Sequence, residues 1–168
     1  AENPPWSGGF TWTKSQDGYP WIGVSCQANG SYLWYPSKEH PSDEPEGADI
    51  HITVTKPLSV ASNGVLQKVT DLKNKWHTWH WKTNYNINPY NINFTVGNFE
   101  IVERIIPSLE KPLKTQFFVL GENREGADKL LDHAEIYIDF FTRSFGQYPW
   151  LKEKLGIVNT PYLGMEHQ

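Results

Sequence analysis

The sequence has a single cysteine in 168 residues, Cys26, which excludes an internal disulfide framework and any cysteine-rich metal cluster. No apolar run approaches the ~18 residues that read as a membrane span. No signal peptide is visible at the abrupt start, Ala1-Glu2-Asn3-Pro4-Pro5. Cation excess is also missing: a net charge of −4, with no long block of one sign, argues against nucleic acid as a partner. Several chemical signatures are absent. There is no H-E-x-x-H, no G-x-S-x-G turn, no glycine-rich phosphate loop and no dinucleotide fingerprint. Cys26 has no basic residue near it in sequence, so it reads as a buried structural thiol rather than a nucleophile.

What is present is aromatic. Hydrophobic content of 38% with 14% aromatics suffices for a packed core, and eight tryptophans favour half-buried pleated surfaces. Ile50, Ile52 and Val54 alternate with His51, Thr53 and Thr55, the period of a half-buried strand. Along residues 75–82, His77, Trp79 and Trp81 fall on one face and Trp76, Thr78 and His80 on the other. Ser62-Asn63-Gly64 predicts a tight turn before Val65. Ile92, Phe94 and Val96 alternate again, and Phe117–Leu120 is continuously apolar, as in a strand covered on both sides.

The period then changes. Ala127, Leu130, Leu131, Ala134, Ile138, Phe141 and Phe145 predict a helix over 124–145, with Asn123 as N-cap, Glu125 in its first turn and Gly146 as its stop. A short strand follows at Leu155–Val158. The fold class expected is therefore mainly β: an antiparallel β domain over 1–121, then a helix and strands opening a second, incomplete unit over 122–168. Under 50 residues, that second unit is too small to bury a core of normal size alone.

His77 and His80 are spaced H-x-x-H, but three residues apart on a strand they point to opposite faces and cannot share an ion. His40, beside Asp43 and Glu44, lies in a polar loop, and His133 stands alone on the helix. The expectation is no metal site. At the C-terminus, Gly164-Met165-Glu166 has a clearer chemical logic. Glycine lets another backbone approach, a strand edge offers unpaired N–H and C=O groups to a peptide, and a carboxylate there can pair with an α-ammonium.

Five segments in order carry a resemblance. Ser25-Cys26-Gln27-Ala28, the stretch Tyr35–Pro45, Ala61-Ser62-Asn63-Gly64, Phe145–Trp150 and Gly164–Gln168 together resemble the aminopeptidase N family of zinc metallopeptidases, the gluzincins, which include the leukotriene-hydrolase branch. The resemblance spans roughly residues 18–168 and is similar in style to bacterial secreted or periplasmic members. It implies a saddle-like β domain lacking its first strands, then the start of a thermolysin-like catalytic domain. Glu166 matches the family's glutamate that anchors a substrate's free N-terminus, Gly164 and Met165 match the peptide-pairing strand, and Gln27 matches a second contributor to that site. As an uncharged amide, Gln27 adds no second negative charge there. Leu163 stands where the motif has a glycine, and His167 where it has asparagine.

The resemblance implies that the parent enzyme is zinc-dependent and acts on peptides with a free N-terminus. The fragment itself is expected to hold no metal ligand, no catalytic residue and no activity. Two other readings compete. A carbohydrate-binding β-sandwich module would stack sugars on Trp76, Trp79 and Trp81, and a non-catalytic peptidase-like scaffold would serve protein partners.

Overall fold

In a computed structural model the fold is described for residues 9–26, 30–40 and 42–161. Ten strands and one α-helix make up the regular elements among them, and the chain divides into two compact units, Phe99–Asn159 and the rest.

The first unit contains two antiparallel sheets. In one, β1 (Phe10–Lys14), β2 (Pro20–Val24), β7 (Phe94–Gly97) and β4 (Ser59–Ser62) lie in the order β1-β2-β7-β4. In the other, β6 (Trp76–Lys82) lies between β3 (Asp49–Thr55) and β5 (Val65–Asp71). The pleat sorts the side chains of this second sheet. Ile50 and Val54 of β3 are buried while Asp49, His51 and Thr53 are exposed. On β6, His77, Trp79 and Trp81 are buried, as their alternation predicts. His77 is satisfied inside, its Nε2 donating to the Leu58 carbonyl at 2.7 Å.

The Ser62-Asn63-Gly64 turn does not close a hairpin within one sheet. It passes the chain from β4 to β5, which belong to different sheets. Gly64 has φ +75°, and a Cβ there would sit 2.0 Å from the Lys82 carbonyl oxygen. Glycine is required by both backbone angle and space.

The second unit is a sheet with a helix. β8 (Phe99–Ile106) pairs antiparallel with β9 (Leu113–Leu120), and β10 (Leu155–Val158) pairs parallel with β9. Helix α1 (Ala127–Phe145) is preceded by a 3-10 segment, Gly121–Gly126. The regular helix thus starts later than predicted, and no side chain caps it; Asn123 belongs to the 3-10 lead-in. Arg124 holds that lead-in by bonding Glu100 at 2.6 Å and Asp128 at 3.4 Å. Gly146 ends α1 as predicted, at φ 100°, its N–H donating to the Thr142 carbonyl.

Ala127, Leu131 and Ala134 turn the buried stripe of α1 toward Phe117, Val119, Ile106 and Leu113. Fully burying side chains such as Ile106, Leu131 and Phe118 is worth about 1.5–3 kcal/mol each. This compact unit runs from Phe99 to Asn159, because β8 and β9 share a sheet with β10 and pack against α1. Among the described residues no helix is long and apolar enough to cross a membrane.

Candidate functional site

Gln27, Gly164, Met165 and Glu166 lie outside the described residues, as do Leu163 and His167. What can be built is the chain on either side of them.

On the β side, Cys26 is buried, and burial pushes its thiol up from the ordinary range, as suits a structural thiol. The segment just after Gln27 is then tied to one carboxylate. Glu39 accepts the Gly30 N–H at 2.8 Å, the Tyr32 N–H at 3.1 Å and the Ser31 hydroxyl, and Ser31 also bonds Ser37 at 2.5 Å. Burial pushes the Glu39 carboxyl up, but the hydrogen bonds from Ser31, Tyr32 and Gly30 outweigh it and hold the group below its usual range. Tyr35 extends the brace by donating its hydroxyl to the Pro89 carbonyl at 2.9 Å. Glu39 falls within a motif that the sequence suggests, yet its role was not legible. Its partners are two backbone N–H groups, nine and seven residues earlier, and the Ser31 hydroxyl, eight residues earlier, and no side-chain periodicity records them.

On the C-terminal side, Asn159 continues the β10 alignment. Its N–H donates to the Phe118 carbonyl at 3.0 Å, and its side-chain oxygen accepts the Leu120 N–H at 3.0 Å. Nearby, burial pushes the Lys154 ammonium down to about 8; Glu153 opposes that shift and Lys114 adds to it.

One polar cluster among the described residues was missed in the sequence. In the β3–β6 register, His51 stands directly across from His80, and Asp49 across from Lys82. All four project from the outer face of the sheet. The two imidazoles stack with centroids 4.0 Å apart and planes 14° apart. Nε2 of His80 lies 2.6 Å from Oδ1 of Asp49, and Lys82 Nζ lies 3.6 Å from Oδ2. The His80 bond keeps the Asp49 carboxyl below its ordinary range; burial opposes it, and the Lys82 charge adds to the lowering. The ligand atoms of Asp49, His51 and His80 lie within 4.8 Å of one another. His77 faces the core and His80 faces outward, so the H-x-x-H pair cannot share an ion. The partner of His80 sits on another strand, β3. Alternation placing Asp49 and His51 outward was readable; the pairing of β3 with β6 was not.

The tryptophans do not form a sugar platform on β6. Trp79 is 8% exposed and Trp81 0%, leaving Trp76 as the one exposed ring of the three.

No protein-family model matches this sequence, and no curated protein does. Solved structures match in fold. A two-domain M1 zinc metallopeptidase variant bound to L-tryptophan superposes with a TM-score of 0.72 at 16% identity, covering 98% of this chain and 36% of that one. The M1 zinc metallopeptidase from Deinococcus radiodurans gives 0.67 at 16% identity over 86% of this chain and 33% of that one. Legionella pneumophila aminopeptidase A in complex with aspartic acid gives 0.71 at 16% identity, over 89% and 17%. The chain thus spans about a third or less of the proteins it matches. At this identity the likeness establishes the fold: mainly β, with antiparallel sheets followed by a helix, as in M1 peptidase structures.

Proposed function

We propose that this chain is part of an M1-type zinc aminopeptidase, contributing to recognition of a peptide's N-terminus and none of the catalytic zinc ligands. The observation that carries the reading is the fold likeness, which extends over almost the whole chain. In this reading residues 1–121 correspond to the family's N-terminal β domain and 122–168 to the opening of its catalytic domain, in an enzyme of the bacterial secreted or periplasmic type. Glu166 receives the substrate's α-ammonium in charge-assisted hydrogen bonds, and Gln27 adds a neutral donor and acceptor beside it. Gly164 and Met165 offer backbone to the first residue of the peptide. Holding the free amine at a fixed place sets the register, so that one residue is released at a time. When bound, zinc supplies Lewis-acid polarisation of the scissile carbonyl and an activated water.

A second feature supports a larger parent. Tyr137, Phe140, Phe141 and Phe145 of α1 are 61%, 58%, 54% and 80% exposed, an aromatic patch on a helix whose Ala127, Leu131 and Ala134 are buried. The remainder of a catalytic domain is what such a patch would pack against.

The test is an aminoacyl fluorogenic assay on the chain as it stands, with and without added zinc. No turnover is expected in either condition. Robust, chelator-sensitive hydrolysis would contradict the assignment of recognition without catalysis.

A further inference from the structure

We propose that Asp49, His51 and His80 form a surface site for a borderline divalent transition-metal ion, such as zinc, nickel or copper, which clamps β3 to β6. The proposal revises the expectation of no metal ligand in this chain. It is independent of the aminopeptidase reading, because it uses none of residues 27 or 164–166.

Three observations converge. The first is register: Asp49 and His51 are two apart on β3 and share its outer face, and His80 opposes His51 on β6. Strand pairing, not a flexible loop, sets their separation. The second is donor chemistry. Two imidazoles and one carboxylate suit zinc, nickel and copper, and do not suit magnesium, which prefers oxygen ligands and keeps its water. The third is reach. Ligand atoms within 4.8 Å of one another must close to about 3.4 Å around an ion with bonds of about 2.1 Å. Imidazole χ2 torsions are broad, so small ring rotations supply that movement. The hydrogen bond between His80 Nε2 and Asp49 Oδ1 is exchanged for two bonds to the ion.

The charges facing the site are Lys82, 3.6 Å from Asp49 Oδ2, and Lys68, which opposes His80 from β5. Both compete with a cation and place the expected affinity in the micromolar range rather than tighter. Three protein ligands on an exposed face leave the remaining coordination positions to water. Acid releases the ion, since the metal takes only unprotonated imidazoles.

The experiment is calorimetric titration of this chain with Zn2+ at neutral pH, alongside histidine NMR. The expected result is one equivalent of Zn2+ bound, with the ring signals of His51 and His80 shifting and those of buried His77 unmoved. His51→Ala and His80→Ala are each expected to weaken binding by about 10-fold or more, since even outer-shell partners are worth about 10–100-fold. Asp49→Asn tests the carboxylate with shape preserved, and His133→Ala on the helix leaves binding intact. Circular dichroism establishes that the variants remain folded, as the outward positions of these residues lead us to expect. Mg2+ gives no comparable heat. The proposal is overturned if Zn2+ binding survives the His51 and His80 substitutions, is lost with His133, or is absent below millimolar concentrations.

Discussion

Glu39 occupies the left-handed backbone region at φ 52°, where a residue with a side chain is uncommon. Its carboxylate supplies the compensation, collecting two backbone N–H groups and the Ser31 hydroxyl in the segment that follows Gln27. Removing an acceptor from that arrangement leaves backbone donors short of a partner. Glu39→Ala is expected to cost about 1–3 kcal/mol in urea unfolding, and Glu39→Gln less, because an oxygen remains. The pH sign follows from the depressed carboxyl. Its folded pKa lies below the unfolded value of about 4.3. The stabilisation is therefore complete above that value and is lost as pH falls through the folded one. Relative to Glu39→Gln, the natural chain should lose stability on acidification below about pH 4.5. Curves that stay parallel to acid would remove the role given to this carboxylate.

At the scale of elements, the α1 stripe separates two kinds of apolar residue that the sequence pattern merges. Ala127, Leu131 and Ala134 are buried, whereas Phe141 and Phe145, in the same periodic set, are exposed. Leu131→Ala is expected to cost about 2–5 kcal/mol. Phe141→Ser and Phe145→Ser should each stay within about 0.5 kcal/mol in this chain, measured by the same urea unfolding. Comparable losses at all three positions would mean that the aromatic patch is packed.

Strand β10 was legible to the residue, as were the two faces of β6 and the stop at Gly146, because each depends on local alternation or on one residue's backbone preference. Local pattern carries no information on which strands pair. Hence the separation of β4 from β5 into different sheets, and the meeting of His51 with His80, appear only with the fold. The 3-10 lead-in was hidden for a related reason: its brace, Arg124 on Glu100, spans 24 residues.

For the whole molecule, the ordered segments that resemble the aminopeptidase N family predicted the fold class, and the fold likeness agrees at the level of architecture. The candidate anchoring residues were legible through motif alone. Among the described residues, Glu39 ties Gly30 and Tyr32, and Asn159 continues the β10 alignment. On the proposed reading Glu166 holds the substrate's amine, and the full-length protein is where this is tested. Glu166→Gln there keeps the side chain's shape and removes its charge. With a fluorogenic substrate bearing a free α-amine, we expect kcat/KM to fall on the order of 100-fold, as for loss of one member of a close charge pair, with thermal stability unchanged. An undiminished kcat/KM in that variant would contradict the anchoring role.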